Sequence, residues 1–416
     1  MHPTTHAARP ARLAWLAAIL AGIGLGAAAQ TAAQPSLQDL FDAAWARQPE
    51  AQALQARRDA ARAQQRAAAA WTPEPPAMEA SLRSDRLGRN DGARELALGI
   101  AVPLWLPDER RRSGALADAA LAATGSRASA ARLRLAAALR EAWWQWQRAV
   151  ADVDTARAQR DSARQLAADV ARRTQAGELA RADQNQADAA VAGADAALAQ
   201  AEAAAAAARQ QLQAITGSAI APTPAAAALS EPEPTGGEAA VHPALAALQD
   251  QAAVAERTAA LAATQSRAHP EMTLATTRDR GAAGERAAQS LTLAIRIPFG
   301  GGPRHDARVA AARADATEAQ AQLALDRARL QSDREAAIAR VDAARAQQAA
   351  AERRARLARE TRGFFEKSFR LGETDLPTRL RIEAEATEAD RQAARSRIEL
   401  AAAISAWRQV LGLLPQ

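Results

Sequence analysis

The sequence predicts a mainly α-helical protein with a small β part, built from a helix–β-hairpin–long-helix unit that occurs twice. Three observations carry this reading. The composition favours long, thin helices over thick cores. A block of the chain recurs at a nearly constant offset. Within each copy, one stretch of period-two alternation interrupts the helical pattern.

Hydrophobic residues make up 49% of the 416, yet there are only 8 Trp and 5 Phe, and no Tyr. Alanine supplies most of the apolar content, and it brings high helix propensity with little burial energy. Such a chain packs long helices at a narrow seam, with help from neighbouring subunits. The 53 basic residues face 47 acidic ones, for a net charge of +6. The signs interleave along the helical stretches, as on a solvated helix surface, so no nucleic-acid partner is predicted. Lys367 is the only lysine, so arginine accounts for the high pI. Cysteine is absent, which excludes disulfides, thiol chemistry and a cysteine lipid anchor.

At the N-terminus, Arg9 and Arg12 precede an apolar run from Leu13 to Leu25, then Ala27-Ala28-Ala29. A basic region, a short apolar region and an Ala-x-Ala site predict a secretory signal peptide over residues 1–29, cleaved near Ala29. The run is shorter than the ~20 residues a spanning helix needs.

The duplication is read from matched residues. Pro49, Leu54, Met78, Asp85 and Arg86 reappear 194 positions later as Pro243, Leu248, Met272, Asp279 and Arg280. After one inserted residue, Leu96, Leu98, Ile100, Val102 and Pro103 fall on Leu291, Leu293, Ile295, Ile297 and Pro298. Gly177-Glu178 falls on Gly372-Glu373, and Gly217 on Gly412. The period is far longer than that of solenoid repeats, so these are two copies of one large unit. The expected division is a first repeat over 30–220, a Pro/Gly-rich linker over 221–240 and a second repeat over 241–416.

Each copy opens with a helix, about 37–70 and 243–267. Alternating apolar and polar residues then predict strands at about 77–86 and 94–104, and again at about 271–279 and 289–299. Gly88 to Gly92 and Gly281 to Gly284 supply the hairpin turns. A very long helix follows, about 108–176 and 304–371, extending roughly 100 Å at 1.5 Å per residue. Gly177 or Gly372 turns the chain into a returning helix. Trp143, Trp146, Val150 and Val153 keep coiled-coil spacing.

Four strands with one apolar face cannot close a barrel alone, and lipid does not tolerate open edges. The hairpins must pack on something apolar or meet copies of themselves. The small and polar opposite face (Ser81, Ala97, Gly99, Ala101, Thr292, Ala294) suits a wet lumen, and eight strands would leave no channel.

On these residues the chain resembles the TolC-type outer-membrane efflux proteins over nearly all of its mature length. The resemblance rests on the duplicated plan and on the strand end Ile297-Pro298-Phe299-Gly300-Gly301-Gly302. It rests also on Ala176-Gly177-Glu178 and Leu371-Gly372-Glu373 at the helical hairpin tips, and on Leu411-Gly412. It implies a homotrimer whose 12-stranded β-barrel sits in outer-membrane lipid and continues as a periplasmic α-helical barrel. It further implies an exit duct docked through a periplasmic adaptor protein to an inner-membrane efflux pump of the RND type. Where the second copy has its glycines, the first has Trp105-Leu106-Pro107, a departure from the pattern. The stretch Gly372 to Leu380 resembles the heavy-metal efflux branch.

In that family the tips close the pore entrance, with aspartates a short way past the tip glycine. The resemblance places the entrance at Gly177, Glu178 and Asp183 in the first copy, and at Gly372, Glu373, Asp375, Thr378, Arg379 and Arg381 in the second. Asp183 matches the acidic position, whereas the second copy has Thr378 and Arg381 there, with Glu373 and Asp375 nearby; the acidic ring is incomplete. Asp183, Asp375 and Arg379 are expected to be solvated.

No nucleophile elbow, phosphate loop or paired histidines on one helical face occur, so no catalytic, cofactor or metal site is predicted. His242, His269 and His305 read as surface residues, and the Trp143-Trp144-Gln145-Trp146 cluster as packing between helices. Type I protein secretion uses the same duct architecture and stays open as an alternative, as does a soluble periplasmic coiled-coil adaptor or scaffold.

Overall fold

The computed structural model describes residues 36–88, 91–218, 230–234, 241–300 and 302–416. The expected signal peptide and most of the linker lie outside them. In order, the elements are α1 (Leu37–Arg47), α2 (Pro49–Ala68), β1 (Ala77–Ser84), β2 (Arg94–Pro103), α3 (Glu109–Gln175) and α4 (Arg181–Thr216). There follow α5 (Pro243–Thr264), β3 (Glu271–Arg280), β4 (Ala288–Arg296), α6 (Gly302–Arg370) and α7 (Leu376–Val410).

The first helix departs from the single rod expected over 37–70. Gln48 is extended, with ψ 137°, and Pro49 opens α2. Proline excludes its predecessor from the helical region, so the rod breaks there. Ser36 caps α1: its hydroxyl accepts from the Asp39 amide at 3.1 Å, and Asp39 accepts from the Ser36 amide at 2.8 Å.

The four strands form one antiparallel sheet in the order β1-β2-β3-β4. Its register aligns the alternation of both hairpins. Met78 pairs with Ile100, Ile100 with Leu274, and Leu274 with Leu293, so one apolar row crosses all four strands. The next residue along each strand gives Glu79, Gly99, Ala275 and Thr292 on the other face. The apolar face is bare: Met78 is 82% exposed, Leu291 74% and Ile295 60%. β1 and β4 each keep an unpaired edge within the chain.

Two rods carry this sheet. α3 has 67 residues and α6 has 69, roughly 100 Å each. In the half nearer the sheet, α2 and α5 flank α3, and α6 lies against α5. In the far half the order is α4-α3-α7-α6. Two long-range polar contacts mark these seams: Arg148 pairs with Glu399 across α3 and α7 at 2.6 Å, and Arg359 with Asp390 across α6 and α7 at 2.7 Å. Alanines make up just over half of the buried rod positions, and the larger side chains gather at a few places. Near the middle, Trp143, Trp144 and Trp146 are buried among Leu37, Phe41, Leu139, Leu212 and Ile398, from α1, α3, α4 and α7. The rings of Trp143 and Trp146 meet edge to face at 5.3 Å.

Two buried polar clusters join the parts. At the sheet–rod junction, Glu109 accepts from the Leu106 amide (3.1 Å), Gln265 Nε2 (2.7 Å) and His269 Nε2 (3.0 Å). Burial alone would raise its pKa, but hydrogen bonds from Gln265, His269 and Leu106 outweigh it and hold the carboxyl below its ordinary value. His269 is therefore engaged at the junction, not a free surface residue. The second cluster lies in the described part of the linker. Glu231 receives a bidentate bond from Arg140 of α3 (2.6 and 2.8 Å) and a bond from Arg408 of α7 (3.3 Å), all three side chains at most 4% exposed. This strap ties the first long helix to the last one.

Breaking a buried ion pair leaves an uncompensated charge and costs about 3–5 kcal/mol, whereas an exposed pair contributes under about 1 kcal/mol. Glu231→Gln is expected to lower the stability of detergent-solubilised protein by that larger amount in urea unfolding. Glu233→Gln, whose partner Arg345 is about half exposed, is expected to change it little.

Candidate pore entrance

The far ends of the two long helices turn back through the same backbone device. At the first tip the Gly177 amide donates to Thr174 O (3.0 Å) and the Glu178 amide to Arg173 O (2.9 Å). At the second, Gly372 donates to Phe369 O (3.1 Å) and Glu373 to Ser368 O (3.0 Å). This is a Schellman closure, which needs a left-handed residue after the cap. Gly177 has φ +81° and Gly372 +78°, which a Cβ would strain.

The returning helices start with complementary halves of one capping pair. In α4 the position before the helix is Ala180, which has no side-chain acceptor; Asp183, three residues on, accepts from the Ala180 amide at 3.0 Å. In α7 the equivalent of Ala180 is Asp375, which accepts from the Thr378 amide at 3.1 Å. Hydrogen bonds from the Thr378 hydroxyl and amide hold the Asp375 carboxyl below its ordinary value. Each helix N-terminus thus carries one carboxylate beside its exposed amides, where the helix dipole favours negative charge. In the second copy the capping carboxylate is therefore Asp375, at the position of Ala180, and not a residue at the position of Asp183, which is Thr378.

Between the tips lies a small apolar pad, in which Val170 and Ala167 of α3 and Ala187 of α4 meet Phe369 of α6 and Leu376 of α7. Arg173 closes over it. Its guanidinium sits 5.0 Å from the Phe369 ring centre, donates to Phe369 O at 3.0 Å and pairs with Glu178 at 3.0 Å. The second turn is held by Ser368, whose hydroxyl bonds Glu373 (3.3 Å) and Thr374 (2.7 Å).

Arg379 corrects the expectation of a solvated tip residue. It is 7% exposed and pairs with Glu383 at 2.6 Å. Glu383 also receives Ser162 Oγ from α3 at 2.7 Å and lies 3.5 Å from Arg362 of α6. The guanidinium is buried because its acidic partner sits one turn ahead on α7 and is shared by two other helices. Arg381, in contrast, is exposed and pairs with Glu385 at 2.7 Å. The sequence reading missed Arg173, Phe369 and Glu383; an arginine pair in the last turn before Gly177 and a phenylalanine in the last turn before Gly372 were the available signal. Among the described residues, no helix is long and apolar enough to cross a membrane.

Residues 40–218 match the model of the family described as outer membrane efflux protein. No curated protein sequence matches the chain. Among solved structures, the outer membrane protein VceC of Vibrio cholerae is 19% identical, with 90% of this chain and 96% of that one covered and a TM-score of 0.72. The open-state MtrE outer membrane channel of Neisseria gonorrhoeae is 17% identical, with 91% and 89% covered and a TM-score of 0.72. The Campylobacter jejuni CmeC outer membrane channel is 12% identical, with 90% and 85% covered and a TM-score of 0.72. At these identities the likeness is one of fold, and it extends over both repeats.

A carboxylate with a lowered pKa stabilises the fold above its unfolded value, here 3.8, and that contribution disappears as pH falls through the lower folded value. Asp375→Ala is therefore expected to speed amide hydrogen exchange at Thr378 at neutral pH. The difference from the parent protein should close once the pH drops below the carboxylate range.

Proposed function

We propose that this chain, which over residues 40–218 belongs to the outer membrane efflux protein family, is the exit duct of a tripartite efflux system. It carries substrates passively across periplasm and outer membrane. One observation carries the reading: a four-stranded sheet with a bare apolar face and two unpaired edges stands at the end of two rods about 100 Å long. In lipid, such a sheet is stable only if its edges are paired.

The strand directions decide how they pair. β4 runs back toward the rods and β1 away from them, so β4 of one subunit meets β1 of the next antiparallel. That contact is head-to-tail and closes into a ring. Two chains would give eight strands and a barrel filled by its own side chains; three give twelve and leave a channel. The strands of 8 to 10 residues are close to the 9–11 that a tilted membrane strand requires. The face carrying Glu79, Ser81, Gly99 and Thr292 then lines a wet lumen. The rods reach into the periplasm, and their tips are the natural meeting point for a periplasmic adaptor and an inner-membrane pump of the RND type. The tip stretch Gly372 to Leu380 resembles the heavy-metal efflux branch, and metal ions, drugs and proteins are the cargo classes to compare.

The protein is expected to fractionate with the outer membrane, to run as a trimer in detergent and to conduct in planar bilayers. A water-soluble monomer that never inserts would overturn the reading and favour a periplasmic scaffold. At the entrance, Asp183→Ala removes one carboxylate per subunit and is expected to lower cation preference and change conductance. Thr378→Asp adds one and should shift cation preference the opposite way. Neither should change trimer yield. Identical single-channel records for both variants and the parent would exclude these positions from the gate.

A further inference from the structure

The register of the sheet sorts its charges by face. The acids of the strands, Glu79, Glu95, Glu271 and Asp279, all fall on the face opposite the apolar rows. Arg83 and Arg296 share that face, and each has an acid across the ladder: Arg83 stands opposite Glu95, and Arg296 pairs with Glu271 at 3.4 Å. The remaining strand arginines, Arg94, Arg278 and Arg280, lie on the apolar face, at the end far from the rods. Their neighbours across the ladder are Ser84, Leu96, Gln289 and one another. Among the described residues, none of these three forms an ion pair.

Such an arrangement is unfavourable by itself. Arg94 and Arg280 stand directly opposite each other, where Cβ atoms are about 5 Å apart and like charges repel. Arg278 lies two residues from Arg280 on the same face, beside the row of Leu82 and Leu96. Nε and Nη2 of Arg280 donate to Gly92 O at 3.3 and 3.2 Å, which holds this guanidinium at the turn but leaves its charge without a counter-ion. Arg94 and Arg278 are exposed. Three gathered guanidiniums suit an anion with several acceptor oxygens, which the planar forks bind through paired hydrogen bonds.

Their height fits a lipid headgroup. The apolar rows run from Val102 to Leu96 along β2, about 20 Å. The apolar band of a membrane barrel is about 25 Å tall, and strand tilt shortens what these rows cover, so the arginines stand where hydrocarbon meets headgroups. β2 and β3 are the inner strands, so in a closed ring the cluster is clear of the contacts between subunits. With the rods in the periplasm, this rim faces the outer leaflet.

Resting on the duct reading, we propose that Arg94, Arg278 and Arg280 bind a phosphate group of the outer-leaflet glycolipid, whose acyl chains lie along the apolar rows beside them. The bound phosphate cancels the repulsion between Arg94 and Arg280 and fixes one glycolipid on each subunit.

The detergent-solubilised trimer, incubated with bis-phosphorylated lipid A and read by native mass spectrometry, is expected to retain one lipid per subunit. Arg94→Gln/Arg278→Gln removes two guanidiniums, each worth about a fivefold change near a lipid surface, and should weaken retention by about tenfold or more. Arg83→Gln, on the opposite face, should leave it unchanged. Lipid A stripped of its phosphates should be lost from the parent protein too, an arm that needs no variant to assemble. Equal retention by parent and double variant, or of the phosphorylated and stripped lipids, overturns the site. Equal retention of phosphatidylglycerol overturns the choice of glycolipid, and displacement of lipid A by an equal concentration of inorganic phosphate assigns the cluster to a free anion and overturns it as well. A trimer that conducts but retains no lipid A overturns this site alone, whereas a water-soluble monomer overturns the duct reading beneath it.

Discussion

Backbone hydrogen bonding at the sheet edges is the constraint from which the rest of this molecule follows. Within one chain, β1 and β4 each leave a row of amide and carbonyl groups facing outward beside an apolar surface. Water could satisfy the edges but not the apolar face, and lipid could satisfy the face but not the edges. Only repetition of the chain satisfies both. The duplication serves the same end, because each repeat contributes one hairpin and the register between β2 and β3 joins the two apolar faces into one surface.

The rods solve a different problem. A helix of nearly 70 residues made chiefly of alanine gains little from burial and must find specificity elsewhere. The structure concentrates it at two heights. Near the middle a tryptophan belt binds α1, α3, α4 and α7, and the Glu231 strap joins α3 to α7 within the same stretch of α3; at the far end Phe369 with Arg173 locks the two tips together. Between these heights, charged rungs such as Arg148–Glu399 and Arg359–Asp390 align the helices, each contributing little on its own because it is exposed.

Much of this was legible in the residues. Period-two alternation in Leu96 to Val102 and Leu291 to Ile297 located the strands, because the side-chain period of a strand is short enough to show in a few residues. The turn glycines marked both tips, since only a left-handed backbone position calls for them there. What the residues hid were features that depend on distant partners. Arg379 reads as a surface charge until Glu383, Ser162 and Arg362 are seen converging on it. Glu231 lies in a Pro-rich stretch that reads as plain linker, and only the fold brings Arg140 and Arg408 to it. The break before Pro49 was legible and still lost, because helical periodicity on both sides of Gln48 masked a purely steric rule.

The exchange of the capping acid between Asp183 and Asp375 has a consequence for how the entrance evolves. One gene encodes both acids, but each occupies its own codon in its own repeat. In a threefold assembly a single codon change therefore alters three charges together, one per subunit, and leaves the other set of three untouched. Selection can change the charge of the tips in half-steps, one repeat altering its capping acid while its twin keeps its own.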